Sequence, residues 1–226
     1  MLGYLAAPHA AVSGPGPWPG VVVLHDITGP GADLRAITDR FATAGYLALA
    51  PDLYSRGGRL RCLKAVFEAL RAGQGQALAD IDSARAVLAQ RPDCTGQVAV
   101  VGFCMGGGFA LLAASSGFRA AAPYYGPLPA ESALDGACPV VASYGGRDRP
   151  LAGAATRLRT ALSARGIVHD VKEYPGAAHG FANRLLPGPL NRIGCVIGFG
   201  YDHDAAEDAW TRVLAFFAEH LRGPET

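Results

Sequence analysis

One segment limits the folds open to this chain of 226 residues more than any other. Residues 97–102, Gln-Val-Ala-Val-Val-Gly, have the apolar, β-branched character of a strand buried on both faces. Residues 109–114, Phe-Ala-Leu-Leu-Ala-Ala, read as a helix. Only Phe103-Cys104-Met105-Gly106-Gly107-Gly108 lies between them, so the chain must pass from strand to helix in a sharp turn of Gly-x-Cys-x-Gly spacing. The central residue of such a turn is forced into a strained backbone conformation, and the positions two before and two after must lack side chains to leave it room. Gly102 and Gly106 meet that demand. A strand of this kind needs cover on both faces, which points to a sheet packed between helices.

The rest of the chain repeats the pattern. Residues 21–25 and 46–50 are further continuous apolar strands, and strands are expected near 120–125, 139–144 and 168–174. Residues 33–44 and 76–90 read as helices, the second with Leu78, Ile81, Arg85 and Leu88 at steps of three to four and Pro92 just beyond its end. The last helix, 205–221, carries Ala206, Trp210, Val213, Leu214 and Phe217 on one stripe. Asp202 and Asp204 precede it, and their charge suits a helix N-terminus. The alternation predicts the α/β class, a mostly parallel central sheet flanked by helices on both faces. Residues 55–75 and 185–202 are rich in Gly, Arg or Pro and follow strand ends, so both are expected as irregular stretches at the sheet edge where ligands bind. With no repeat, low-complexity tract or linker, a single domain over residues 1–226 is expected.

Lys plus Arg (20) nearly balances Asp plus Glu (19), so no face is built to attract polyanions and nucleic acid is not an expected partner. The five cysteines are odd in number and contain no Cys-x-x-Cys pair, which argues against a disulfide framework and a thiolate zinc site and for a reducing, cytoplasmic setting. The start, Met1-Leu2-Gly3-Tyr4-Leu5, lacks a basic leader and long apolar core, and no run approaches the ~20 apolar residues that span a bilayer, so a soluble chain without a membrane anchor is expected.

The sharp turn delivers the Cys104 sulfur to the start of a helix, where unpaired N–H groups and the positive dipole end favour a thiolate and, later, an oxyanion. Strand, Gly-x-Cys-x-Gly and helix together make a nucleophile elbow with cysteine in place of serine, and the Met105 N–H is the first expected oxyanion donor. The competing readings are a buried structural cysteine, and a phosphate cradle that lacks both the Gly-x-Gly-x-x-Gly and the Gly-Lys-Ser/Thr signatures. A hydrolase built on such an elbow places its acid and then its histidine after the nucleophile, each on a loop behind a later strand. Asp148 follows residues 140–144 and the Gly145-Gly146 turn, and His179 follows residues 171–174 among small residues. The alternative for Asp148 is an exposed loop carboxylate. His25, at the end of an apolar strand, reads as a hydrogen-bonded core histidine, His169 sits within a strand, and His203 lies in a polar turn.

Gly-Phe-Cys-Met-Gly-Gly, Pro51-Asp52-Leu53-Tyr54, Tyr124-Tyr125-Gly126, Gly-Gly-Arg-Asp and Ala-His-Gly-Phe occur in the order seen in dienelactone hydrolases, and from about Val21 to Leu221 the chain resembles that family. The resemblance implies an α/β-hydrolase fold, a Cys104–Asp148–His179 triad, no metal and no cofactor. It also implies a second oxyanion donor in the backbone N–H of Ile27. Family members carry an acidic residue, usually glutamate, that modulates the thiol, and Asp26 stands there; its other reading is a strand-end carboxylate capping the following loop. Substrate carboxylates in the family are held by arginines, one shortly after the triad histidine; the matching position is Asn183, with Arg184 beside it. Arg59 and Arg61 are candidates for the other clamp, with solvated surface arginines as the alternative, and Tyr125 completes the substrate-binding candidates. Residues 186–199, apolar and Gly-rich, read either as part of a lid or as a dimer surface, so monomer and homodimer both stay open.

The expected activity is hydrolysis of an ester or lactone through an acyl-enzyme on Cys104. A thioester or C–C bond hydrolase of the same fold, or a non-catalytic redox-sensing or binding protein using Cys104, are the competing functions.

Overall fold

The computed structural model describes residues 2–185, 190–191, 194–195 and 198–221. Most of residues 186–199 therefore lies outside the described residues. The sheet has seven strands: β1 (Gly3–Ala6), β2 (Trp18–Leu24), β3 (Leu47–Pro51), β4 (Cys94–Phe103), β5 (Ala120–Tyr124), β6 (Val140–Gly145) and β7 (His169–Tyr174). Their spatial order is β1-β3-β2-β4-β5-β6-β7, and every pairing is parallel except β1 with β3. Among the described residues, the α-helices with defined bounds are α1 (Ala10–Ser13), α2 (Ala32–Thr43), α3 (Arg59–Ala72), α4 (Gln76–Ala89), α5 (Met105–Ala113), α6 (Ala154–Ser163) and α7 (His203–His220).

Successive strand residues point to opposite faces, which divides the core in two. Val22 and Leu24 of β2 and Val98 and Val100 of β4 pack with Val66 of α3, Ile81 and Leu88 of α4, Phe109 and Leu111 of α5, and Leu158 of α6. On the other face Val21, Val23, Val101, Phe103 and Tyr124 pack with Leu34 and Phe41 of α2 and Val213 and Phe217 of α7. Both faces of the central strands are buried, which is why those segments read as unbroken apolar runs. Truncating a side chain such as Leu24 or Leu111 to alanine is expected to cost about 2–5 kcal/mol.

The sequence patterns place most elements to within a few residues. The main correction is at 55–75, expected as an irregular stretch: residues 59–72 form α3, which packs against α4 and α5 and buries Val66 and Ala69. The Gly57-Gly58 and Gly73 flanks set its ends, and no Gly or Pro interrupts it. Arg59 and Arg61 thus stand on the first turn of a helix rather than on a loop. Strand β1 and helix α6 also lay outside the predicted elements. At the C-terminal helix the Asp202 side chain accepts a hydrogen bond from the Ala205 N–H, an N-cap in keeping with the acidic residues at that point. No helix among the described residues is long and apolar enough to cross a membrane.

Candidate active site

The elbow forms as the glycine spacing requires. Cys104 caps α5 with φ 52° and ψ −114°, a left-handed conformation rare outside glycine. A Cβ on Gly102 would lie 2.0 Å from the Gly106 carbonyl oxygen, and one on Gly106 would lie 2.5 Å from Leu24 O and 2.6 Å from His25 O. Glycine at both positions lets the start of α5 press against the end of β2. The Cys104 N–H donates to Tyr124 O at 3.0 Å, and its carbonyl accepts from Gly108 N at 3.1 Å, so the strained residue is held from β5 and from its own helix. The side chain is half-buried against the core on the α2 and α7 side.

Two later loops converge on it. Asp148, whose side chain has no solvent exposure, accepts a hydrogen bond from His179 Nδ1 at 2.6 Å. The Gly145-Gly146 turn makes this possible: a Cβ on Gly145 would meet Ala177 O at 2.7 Å, and the Arg147 N–H donates to Ala177 O at 2.9 Å. His179 is fixed in turn by backbone bonds, its N–H to Gly198 O and the Gly200 N–H to its carbonyl, both 2.9 Å. Its ring lies between Tyr125, 5.1 Å away, and Phe199, stacked at 5.9 Å. Burial lowers the affinity of the ring for its proton. Hydrogen bonding to Asp148 and to the Cys104 sulfur, with the negative charge of both partners, outweighs this and raises the pKa to about 10.

The loop after β2 forms another wall. Asp26 is buried, and its Oδ1 accepts from the Thr28 N–H at 2.7 Å and the Thr28 hydroxyl at 2.5 Å, so one carboxylate oxygen caps the loop. Its charge still acts on Tyr54 and Tyr125, as does that of Cys104, so the carboxylate and the sulfur share one neighbourhood. The Met105 N–H, at the first position of α5, and the Ile27 N–H meet no acceptor among the described residues.

Tyr54, quoted above only as part of a motif, joins these two residues. Its hydroxyl donates to Ile27 O at 3.1 Å and lies 3.7 Å from Met105 Sδ. Burial, with the nearby Asp26 charge, raises its pKa to about 12, which keeps it a hydrogen-bond donor. His25 is fully buried, as expected of a core histidine, with Nδ1 2.6 Å from Asp26 O and Nε2 accepting from the Leu53 N–H at 3.2 Å.

The substrate-binding candidates separate in space. Tyr125 is buried, and its hydroxyl donates to Asn183 Oδ1 at 2.5 Å. The Asn183 amide donates to Asp33 Oδ2 at 2.7 Å, and the Arg184 N–H donates to Asp33 Oδ1 at 3.0 Å. Asp33, on the first turn of α2, is thus a latch across 150 residues of sequence that pattern reasoning did not find. Arg184 bonds and stacks on Tyr201 and lines a cleft of about 230 Å³ with His25, Asp26, Thr28 and Asn183. Arg59 is exposed and acts electrostatically on Tyr54, whereas Arg61 lines a different cavity with Arg56, Cys62 and Asp80. Among the described residues no group of three His, Cys, Asp or Glu side chains could hold a metal ion. All five cysteines are free.

A strained cysteine at a strand–helix turn, backed by a histidine and a buried carboxylate, can carry acyl transfer. Comparison with known proteins narrows the lineage. A Yersinia pestis protein named "Putative carboxymethylenebutenolidase" is 30% identical over 91% of this chain and 79% of its own length. The crystal structure of a Klebsiella pneumoniae protein named "Putative Dienelactone Hydrolase" superposes with a TM-score of 0.73 at 26% identity, covering 97% of this chain and all of that one. A dienelactone hydrolase-like promiscuous phosphotriesterase from metagenomic libraries shares the fold, with a TM-score of 0.75 at 22% identity over 98% of this chain and 99% of its own. The sequence model of the dienelactone hydrolase family matches residues 1–221. The chain belongs to the dienelactone hydrolase family and is a dienelactone hydrolase-like hydrolase of the α/β-hydrolase fold.

Proposed function

We propose that the chain hydrolyses a small carboxylic ester or lactone through a covalent acyl-enzyme on Cys104. The supporting observation is the approach of the His179 ring, held by Asp148 at 2.6 Å, to a half-buried cysteine that the elbow keeps in a strained conformation. The proton rests on His179, and the Cys104 sulfur attacks the substrate carbonyl as the thiolate. The resulting oxyanion is bound by the Met105 and Ile27 N–H groups. The intermediate collapses, its leaving oxygen receives the proton from His179, and a thioester remains. Water, deprotonated by His179, then attacks the thioester, releases the carboxylic acid and restores the thiolate. Asp26 lies near the sulfur with one oxygen held by Thr28, an arrangement suited to modulating thiol ionisation.

The cleft beside the Asp26 loop suits a small group, and Arg184, one of the residues lining it, is a candidate to meet a substrate carboxylate. Asn183 is occupied by Tyr125 and Asp33, so it shapes the wall rather than clamping an anion. The five free cysteines support a reducing, cytoplasmic setting. A panel of dienelactone, aryl esters, thioesters and a C–C cleavage substrate tests this reading. Turnover of dienelactone or aryl esters that vanishes in Cys104→Ala is expected, and ester turnover unchanged in that variant would overturn it.

A further inference from the structure

The mechanism asks much of one amide, the Ile27 N–H, which sits on a loop with no regular structure to hold it. That N–H belongs to the Asp26–Ile27 peptide unit, and the carbonyl oxygen of the same unit lies 2.6 Å from His25 Nδ1. The Leu53 N–H can only donate, and it points at His25 Nε2 at 3.2 Å, so Nε2 is the acceptor and the proton of the neutral ring resides on Nδ1. A single line of hydrogen bonds therefore runs from Leu53 N–H through the imidazole and the Asp26 carbonyl to the Ile27 amide. A donor on the carbonyl of a peptide fixes its plane and polarises it, which strengthens the N–H at the other end. Burial favours the neutral ring that this chain requires.

The next peptide unit is pinned at both ends. The Ile27 carbonyl accepts from the Tyr54 hydroxyl at 3.1 Å, and the Thr28 N–H donates to Asp26 Oδ1 at 2.7 Å. His25 and Tyr54 are themselves packed together, with ring centroids 4.8 Å apart, and Leu53 and Tyr54 come from one turn that the Asp52 carboxylate closes on the Tyr54 N–H. We propose that His25, supported by Tyr54, is a positioning residue that orients and polarises the Ile27 amide for the oxyanion. The proposal rests on the reading that Ile27 and Cys104 act as described above.

The test compares two reactions of the same sulfur in the full-length protein. Acylation by p-nitrophenyl acetate passes through an oxyanion, whereas alkylation of Cys104 by iodoacetamide, followed by peptide mass spectrometry, does not. In His25→Phe, acylation is expected to fall about tenfold or more while alkylation stays within about twofold. His25→Gln, which keeps one donor and one acceptor, is expected to recover most of the loss, and Tyr54→Phe to show a smaller, equally selective loss. If His25→Phe does not fold, His25→Asn, too short to bridge both partners, takes its place against His25→Gln. Acylation and alkylation falling together, or acylation unchanged while Cys104→Ala is inert, would overturn this inference alone. Ester turnover surviving in Cys104→Ala would remove the underlying reading and the inference with it.

Discussion

The elbow and the acid–histidine corner meet at the ring of His179, and they are built by opposite means. The elbow is shaped by what is missing: Gly102 and Gly106 leave space, a strand and a helix close on it, and Cys104 is left in a conformation that its own side chain disfavours. The corner is shaped by what is present, a buried carboxylate, an imidazole and the Asn183–Asp33 latch beside them, each held by directed hydrogen bonds. Steric exclusion tolerates no added atom. Directed bonds fail more gently, because losing one leaves the backbone in place.

Three substitutions sharpen this contrast, in decreasing order of effect. Gly102→Ala puts a Cβ 2.0 Å from backbone, which no rotamer can relieve, and is expected to destabilise the fold by more than about 4 kcal/mol, read as loss of soluble protein or of the cooperative thermal transition. A folded Gly102→Ala protein with normal stability would show that the elbow is less tightly closed than described.

Asp148→Asn should leave the fold and lower kcat by about a thousandfold or more, since it removes the charge that orients and supports the imidazolium. It also has a pH signature. A folded-state His179 pKa of about 10, against an ordinary 6.5, means that its contribution to stability is complete below about pH 6.5 and is lost as pH rises through about 10. Denaturant unfolding across that range should show the decline in the wild type and a weaker one in Asp148→Asn. Equal slopes in both proteins would deny that Asp148 holds the proton on the ring.

Asp33→Ala tests the gentle end of the comparison. Two hydrogen bonds to the 183–184 segment are lost, which predicts about 1–3 kcal/mol of destabilisation. The accompanying change should fall mainly on KM, because the segment walls the cleft without touching the sulfur. A collapse of kcat with KM preserved would place the latch within the chemical machinery.

The same contrast explains what the sequence disclosed. The elbow was legible because its requirement is local: two glycines and a cysteine between a strand and a helix can be read within a few residues. The sheet and most helices were legible for a similar reason, since apolar runs and helical spacing are local records of burial. Asp33 and Tyr54 were not, because their importance comes from partners 150 and 27 positions away that share no pattern with them. Helix α3 was hidden by its setting, as glycines and arginines around residues 56–61 obscured a stripe that includes Cys62, Val66 and Ala69. His25 shows the limit of residue-type reasoning: it is a hydrogen-bonded core histidine, as its place on an apolar strand suggested, yet its partner is the peptide that carries the Ile27 N–H.

The central claim is that Cys104 carries the acyl group, and rapid acid quenching during p-nitrophenyl acetate turnover, followed by mass spectrometry of the peptide spanning residues 92–119, tests it most directly. An acetyl group on Cys104 that forms before steady state and decays at the turnover rate is the predicted result. Steady turnover with Cys104 never acetylated at any time point would contradict the account.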